Sequence, residues 1–381
     1  ASQSSLRVQT TMEKLDRAPV AKIEKPYGDV PEGFVRVAPL ANLAQSIRRF
    51  GVDPEALFAS IGLSGELFAN PANTISLQTV GELLDRCVAA TGCRHFGLTL
   101  GRTVTARSLG MIGELLPHCA DVGTALVHLQ NFFHLNARGA IPTRTVDGDT
   151  ATLGYTLFAG PVAGVDQILD GTMVVALNLM RLLCGPQWKP RAVLLSRCRP
   201  ENQRPYQQIF QCPIEFDAEN SSLVFPAGDL KLPIAGADPN QFKLLKEQLD
   251  NISSQHGLDT LAQVRRLVLA MAVLRRCSLA AVAGAMSINP RRLNRMLERE
   301  GTSYRELFDD VRCGLALRLI RHTDLSLAQI ATVLDYSGAS AFAHAFKRWQ
   351  NVSPLAWRRM HGRPVAATAV TPPSPADAER P

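Results

Sequence analysis

The sequence contains no C-x-x-C pair, and no Cys/His set has the spacing of zinc ligands. Its eight cysteines, Cys87, Cys93, Cys119, Cys184, Cys198, Cys212, Cys277 and Cys313, are scattered along the chain. That excludes a disulfide scaffold and reads as reduced, small buried hydrophobes. His95, His118, His128, His134 and His256 also lack ligand spacing. No phosphate-binding G-x-x-x-x-G-K-[ST], nucleophile-elbow G-x-S-x-G or H-E-x-x-H run occurs. No catalytic residue, metal or cofactor is expected, so the chain does not read as an enzyme. The longest apolar stretch, Thr172 to Leu183, is broken by Asn178 and Arg181 and is too short to span a bilayer. The opening Ala1-Ser2-Gln3-Ser4 has no apolar run of the kind that marks a signal peptide. A cytoplasmic location with no membrane partner is the expectation.

There is ample material for packed cores. Of 381 residues, 46% are hydrophobic and 20% charged, which excludes a wholly disordered chain and suggests two or three domains. Residues 1–33 lack helical periodicity, carry Pro19, Pro26, Gly28 and Pro31, and read as a flexible N-terminal arm. Val37, Leu40, Leu43, Ala44 and Ile47 then give one apolar helix face, ended by Gly51. Pro54 opens a second short helix, and Leu77, Val80, Leu83, Leu84, Cys87 and Val88 mark a third that stops near Gly92. Helical patterns follow at 121–136 and 165–184. Between them, Ile141–Val146 and Thr150–Phe158 flank Asp147-Gly148-Asp149 as a hairpin. Short strands are expected at 193–195, 214–216 and 222–225, with a helix at 205–210. Helices with a few antiparallel strands imply an α+β domain over residues 34–235.

Gly236-Ala237-Asp238-Pro239-Asn240 is a turn cluster, and residues 236–256 read as linker and connecting helix. Phe242, Leu245, Leu249 and Ile252 could form a coiled-coil seam in a homodimer, or could pack that helix on its own domain. Residues 257–363 are helical and carry 17 Lys and Arg against 8 Asp and Glu, an excess of +9. The rest of the chain carries −2 of the total +7. Such concentration is the electrostatic footprint of a nucleic-acid binder. The Pro- and Ala-rich residues 364–381 read as a disordered tail.

Two similar helix pairs lie within this basic segment. In the first, Leu279, Val282, Ala283 and Met286 form an apolar face, Ser287-Ile288-Asn289 makes the turn, and Asn289 caps a helix with Pro290 at its first position. Leu293, Met296 and Leu297 would point inward, leaving Arg291, Arg292, Asn294, Arg295 and Arg299 to meet base edges and phosphates. In the second, Ser326-Leu-Ala-Gln329 is a capping box, and Leu327, Ile330, Ala331 and Leu334 face inward. Asp335-Tyr336-Ser337 makes that turn, with Ser337 as the expected cap. Phe342, Ala345, Phe346 and Trp349 would be core, and Ser340, His344, Lys347 and Arg348 would be free to touch DNA. A helix opened by Ser303-x-x-Glu306, with Leu307, Val311, Leu315 and Leu319 along it, would hold the pairs apart.

Residues 278–359 resemble the DNA-binding domain of the AraC/XylS family of bacterial transcription regulators. The resemblance is carried by Asn289-Pro-Arg-Arg-Leu-Asn-Arg, Glu300-Gly-Thr-Ser-Tyr, Ala316-Leu-Arg-Leu-Ile, Ser326-Leu-Ala-Gln-Ile-Ala and, most specifically, Phe342-Ala-His-Ala-Phe-Lys-Arg-Trp with Val352-Ser353-Pro354. Residues 34–235 resemble the non-cupin, arabinose-binding-like N-terminal domain of the same family. Here the carrying segments include Gly51-Val-Asp-Pro, Phe96-Gly-Leu-Thr-Leu-Gly-Arg, Ser108-Leu-Gly-Met-Ile-Gly and Phe210-Gln-Cys-Pro-Ile-Glu-Phe. The chain departs from the family pattern at Ser287 and Asp335, where both turns usually carry Gly. It departs again at His344, where Arg is frequent, and at Asn351, where Gly is frequent.

The resemblance implies an α+β regulatory domain followed by an all-α domain with two helix-turn-helix units joined by a long helix. It implies a sequence-specific activator that binds double-stranded promoter DNA, contacts RNA polymerase and responds to a small-molecule effector. Two rigidly joined recognition helices would enter successive major grooves, about 34 Å apart. For the effector, Arg102, Arg107, His134 and Asp166 are polar groups near apolar segments, each with an ordinary surface or capping role as the alternative. The other reading of the whole chain is a ligand-independent regulator whose N-terminal domain serves only for dimerisation.

Overall fold

The computed structural model describes residues 29–157, 162–255, 260–273, 277–286, 288–322 and 325–361. Ser287, Phe158, His256, most of the expected arm and all of the expected tail lie outside them.

The N-terminal half begins with a two-stranded antiparallel pair, β1 (Phe34–Arg36) and β2 (Thr74–Ser76). The first expected helix is split into a 3-10 turn at Ala38–Leu40 and α1 (Leu43–Arg48), with Val37, Leu40, Leu43 and Ile47 buried as the spacing predicts. Helix α2 (Pro54–Ala59) is capped by Asp53, whose carboxylate accepts from the amides of Glu55 and Ala56. Helix α3 (Leu77–Thr91) starts at Ser76 and stops at Gly92, which takes the left-handed conformation that glycine adopts without penalty. Together with α4 (Phe96–Gly101), these elements enclose a first apolar cluster around Phe58, Leu83 and Phe96.

A second, larger cluster lies between helices and a five-stranded sheet. Helices α5 (Met111–Leu115) and α6 (Val122–Phe132) precede the hairpin β3 (Ala140–Asp147) and β4 (Thr150–Leu157), which pairs across Gly148 as expected. Helix α7 (Val165–Cys184) is the spine of this core. Its Met173, Val174, Leu177 and Met180 are fully buried. Then come β5 (Ala192–Leu194), α8 (Arg204–Phe210), β6 (Ile214–Glu215) and β7 (Ser222–Pro226). The sheet order is β3-β4-β7-β5-β6. The strands are not all antiparallel, because β5 and β6 run parallel, with α8 in the connection between them.

Among the described residues, α7 is long and apolar enough to cross a membrane by length and composition. The stretch from Thr172 underestimates it, because the helix starts at Val165. Half of its apolar window is buried within the molecule. The interrupting Asn178 is used internally, donating to the carbonyls of Gly101 at 3.3 Å and Val104 at 3.1 Å. Close approach of α4 and α7 depends on glycine. A methyl group at Gly97 would sit 2.1 Å from the Gln167 carbonyl oxygen, and one at Gly101 2.6 Å from that of Gly171.

Helix α9 (Pro239–Gln255) resolves the two readings of its seam. Leu249 is fully buried, and Phe242, Leu245 and Ile252 pack against the large N-terminal cluster, so these residues are used within the chain. The remaining helices are α10 (Thr260–Val273), α11 (Leu279–Ala285), α12 (Pro290–Arg299), α13 (Tyr304–His322), α14 (Leu327–Val333), α15 (Ala339–Gln350) and α16 (Pro354–His361). The cysteines are all free thiols. Burial pushes Cys87 and Cys119 up to about 12, as befits inert core thiols. Cys198 departs from the expectation, being exposed.

Candidate nucleic-acid interface

Helices α11 and α12 form the first helix-turn-helix unit. Ser278 caps α11 by accepting from the Ala281 amide at 3.1 Å. Asn289 caps α12 by accepting from the Arg292 amide at 2.7 Å, with Pro290 at the first helical position. Val282, Ala283 and Ala285 of α11 are buried, while Leu279 and Met286 are half-buried. Leu293 and Leu297 of α12 are buried against the same core. The turn position Ser287 lies outside the described residues.

The opposite face of α12 is basic and open. Arg291, Arg292, Asn294, Arg295 and Arg299 are all exposed. Arg291, Arg295 and Arg299 follow at four-residue steps, so their side chains share one stripe. None of the α12 arginines forms an ion pair among the described residues.

The second unit is α14 and α15. Its capping box is complete. The Gln329 amide donates to Ser326 Oγ at 3.2 Å, and the Ser326 amide donates to Gln329 Oε1 at 2.8 Å. Asp335 occupies the left-handed region at φ 58°, which a short polar side chain tolerates better than most. Ser337 does not cap α15. The cap position is Gly338, in extended backbone and with no side-chain hydrogen bond, and the helix starts at Ala339. Asn351 ends α15 at φ 59°, so it serves where the family often has Gly. Phe342 and Phe346 are fully buried and Trp349 is half-buried against Tyr336, so these aromatics are core.

Ser340, His344, Lys347 and Arg348 are exposed along one stripe of α15. Arg348 differs from the α12 arginines, because its guanidinium pairs with Asp309 of α13 at 3.1 Å. That is an exposed pair of small net value, yet it holds the side chain back toward the joining helix.

Helix α13 begins with a reciprocal cap. The Glu306 amide donates to Ser303 Oγ at 3.2 Å, and the Ser303 amide donates to Glu306 Oε2 at 2.8 Å. The Ser303 hydroxyl, 3.0 Å from Glu306 Oε2, and the Ser303 amide together hold Glu306 below its ordinary pKa. Leu307 and Val311 belong to the first unit's core, Ala316 and Ile320 to the second's, and Leu315 touches both. One helix therefore carries two apolar faces, one for each unit.

A family model described as the arabinose-binding domain of AraC transcription regulators, N-terminal, matches residues 51–234. A second, described as a helix-turn-helix domain, matches residues 282–360. The chain belongs to the AraC family. The ornithine utilization regulator of Pseudomonas aeruginosa is 26% identical over 329 residues, 85% of this chain and 96% of its own. The regulator VirS of Mycobacterium tuberculosis is 24% identical over 333 residues, 86% of this chain and 97% of its own. Another M. tuberculosis helix-turn-helix regulator is 44% identical over 78 residues, 20% of this chain and 23% of its own. As an AraC-family chain, this protein is a DNA-binding transcription regulator.

The N-terminal domain contains a cavity of about 170 Å³ between α3, α4, α7 and the β3–β4 hairpin. None of the four polar residues singled out in the sequence lines it. Arg102 and Arg107 are exposed, and Asp166 lies in the first turn of α7. His134 is buried, but it joins the N-terminal domain to α9. Its Nδ1 lies 2.9 Å from the Asn131 carbonyl oxygen and its Nε2 3.1 Å from Ser253 Oγ.

Sequence reasoning missed two groups. One is the buried Asp170, which accepts from Tyr206 at 2.7 Å and pairs with Arg197 at 2.5 Å. Asp170 sits mid-helix, and its partners lie 27 and 36 residues away, so no local pattern reveals it. The other is the seam between the two halves. Ile141 of β3 is buried in the same cluster as Val264, Leu267 and Val268 of α10. Arg144 of β3 donates to the Gly284 carbonyl of α11 at 3.2 Å, and Arg266 of α10 pairs with Glu32 at 3.4 Å.

Proposed function

We propose that this chain is a cytoplasmic, effector-responsive activator that reads two successive major grooves of promoter DNA. The first groove would be met by Arg291, Arg292, Asn294, Arg295 and Arg299. The second would be met by Ser340, His344, Lys347 and Arg348. The observation that carries this reading is the open arginine stripe of α12, fixed through α13 to a second polar stripe on α15. Arginines unspent on acidic partners are available for guanine edges and phosphates, a bidentate Arg–guanine pair discriminating by about 1–3 kcal/mol. If the helix spacing falls short of one DNA turn, the duplex bends at a cost of about 1–6 kcal/mol, offset by added phosphate contacts.

The effector part rests on the cavity and on the seam beside it. A ligand shifts a domain arrangement only if it binds one arrangement more tightly than the other. The strand pair that walls the cavity also docks the first helix-turn-helix unit, through Ile141 and Arg144. This favours regulation over a domain that only dimerises. The activator role, with contact to RNA polymerase, rests on family membership.

Footprinting on DNA upstream of the protein's own gene tests the reading. Protection on one face of two adjacent helical turns is expected, with affinity falling steeply with salt, by a slope of about −0.9 per neutralised phosphate. Protection confined to one turn, or a salt-independent affinity, would contradict it.

A further inference from the structure

The cavity walls carry five polar side chains, and four of them are committed. Arg36 donates through Nε to the Leu135 carbonyl at 2.6 Å and through Nη1 to that of Ala72 at 2.8 Å. Asn136 donates to the Leu109 carbonyl at 3.0 Å, and Thr172 to that of Ile168 at 2.8 Å. Gln167 is used at both ends, accepting from the Gly97 amide at 2.8 Å and donating to the Arg94 carbonyl at 2.9 Å.

Tyr155 is the fifth. It projects from β4 on the same face as Leu153 and sets its ring edge-on to Phe133, with centroids 5.8 Å apart. Its hydroxyl makes no hydrogen bond among the described residues, and burial pushes its pKa well up, so it stays a neutral donor. The rest of the wall is aliphatic, aromatic or glycine.

Such a site is poorly matched to a sugar. A pentose carries a hydroxyl on nearly every carbon, and each one buried without a partner lowers affinity roughly five- to a hundredfold. An ionised ligand would lose its hydration against apolar walls. By volume the site compares with a dry apolar cavity of about 150 Å³ that takes up benzene.

We propose that this cavity binds a compact, uncharged and largely apolar ligand, on the scale of a substituted benzene, oriented by one hydrogen bond to the Tyr155 hydroxyl. The assignment deepens the effector reading above and rests on it for its regulatory meaning. Tyr155 stands opposite Pro142 in the β3–β4 register, next to Ile141, which packs into the DNA-binding half. Occupancy therefore bears on the strand that holds the first helix-turn-helix unit.

The test uses the full chain with p-cresol, toluene, 4-methylbenzoate and L-arabinose as probes, read by calorimetry and thermal shift in the absence of DNA. We expect p-cresol and toluene to bind and stabilise, and L-arabinose and 4-methylbenzoate not to. Tyr155→Phe should weaken p-cresol about tenfold and leave toluene unchanged, the loss of one hydrogen bond. Ala176→Phe, which fills the cavity from α7, should abolish both, with its fold checked by its own melting curve. If that variant does not fold, the Tyr155→Phe comparison of the two probes decides. Tighter binding of L-arabinose or 4-methylbenzoate than of p-cresol, or p-cresol binding untouched by Tyr155→Phe, would overturn the proposal. A p-cresol complex with unaltered DNA affinity would uphold the site and refute only its regulatory use.

Discussion

The Arg312 guanidinium donates to the Asp335 carbonyl oxygen at 2.9 Å, joining the middle of α13 to the turn of the second helix-turn-helix unit. It is sandwiched between two rings, 4.3 Å from the centroid of Phe308 and 4.4 Å from that of Tyr336. Each ring contact adds cation–π attraction of about 0.5–2 kcal/mol. A turn held this way cannot swing independently of the joining helix.

Arg312→Ala should therefore destabilise the fold by about 1–3 kcal/mol, read by urea unfolding. DNA affinity should fall as well, although Arg312 is not part of either exposed stripe. Arg312→Lys should rescue little, since an ammonium cannot stack between two rings as a planar guanidinium does. Full rescue by lysine would show that charge alone matters there.

On α15, Arg348 shares its charge with Asp309. Arg348→Ala should weaken DNA binding less than Lys347→Ala does in the same gel-shift assay. Asp309→Asn should release the guanidinium and tighten binding by a few fold. An unchanged affinity in Asp309→Asn would mean that the pair does not compete with DNA.

Gly97 lies where α4 crosses α7, with no room for a methyl group. Gly97→Ala should cost about 1–3 kcal/mol through forced separation of the helices, measured as a lower urea midpoint with an unchanged slope. Gly284, where an added methyl group would meet nothing within 4 Å, supplies the control: Gly284→Ala should be neutral or slightly stabilising.

Burial pushes the Asp170 carboxyl up to about 6, even though Arg197 and Tyr206 pull it down. In the unfolded chain an aspartate titrates near 3.9. The folded state therefore holds its proton longer. The stability this group lends is full below about pH 4, is lost as pH rises to about 6, and is level above. The difference amounts to on the order of 2–3 kcal/mol. Asp170→Asn should flatten the stability profile between pH 4 and 6, as followed by urea unfolding at each pH. An unaltered profile would place the titration elsewhere.

Most of the fold was legible because local chemistry dictates it. Asn289-Pro290 and Ser326-x-x-Gln329 announce helix starts through their own side chains, Gly92 announces a helix end through its φ, and Asp147-Gly148-Asp149 announces a hairpin. The polar stripes of α12 and α15 follow from helical spacing once those starts are known. Partners far apart in sequence were not legible. Tyr155 looked like one more strand residue, because its lack of a hydrogen-bond partner is a property of packing. The same holds for Asp170 with Arg197, and for Ile141, whose core lies across the domain seam. The parallel β5–β6 pair was hidden for a related reason, since short strands carry no mark of direction.

The most direct measurement is the affinity of the Arg291→Ala, Arg295→Ala double variant for the footprinted site, taken against salt concentration beside the parent chain. We expect a loss of several kcal/mol, with a shallower salt slope and reduced preference over unrelated DNA, while the melting temperature stays within a few degrees. Undiminished affinity and specificity in a folded double variant would contradict the assignment of α12 as the recognition helix.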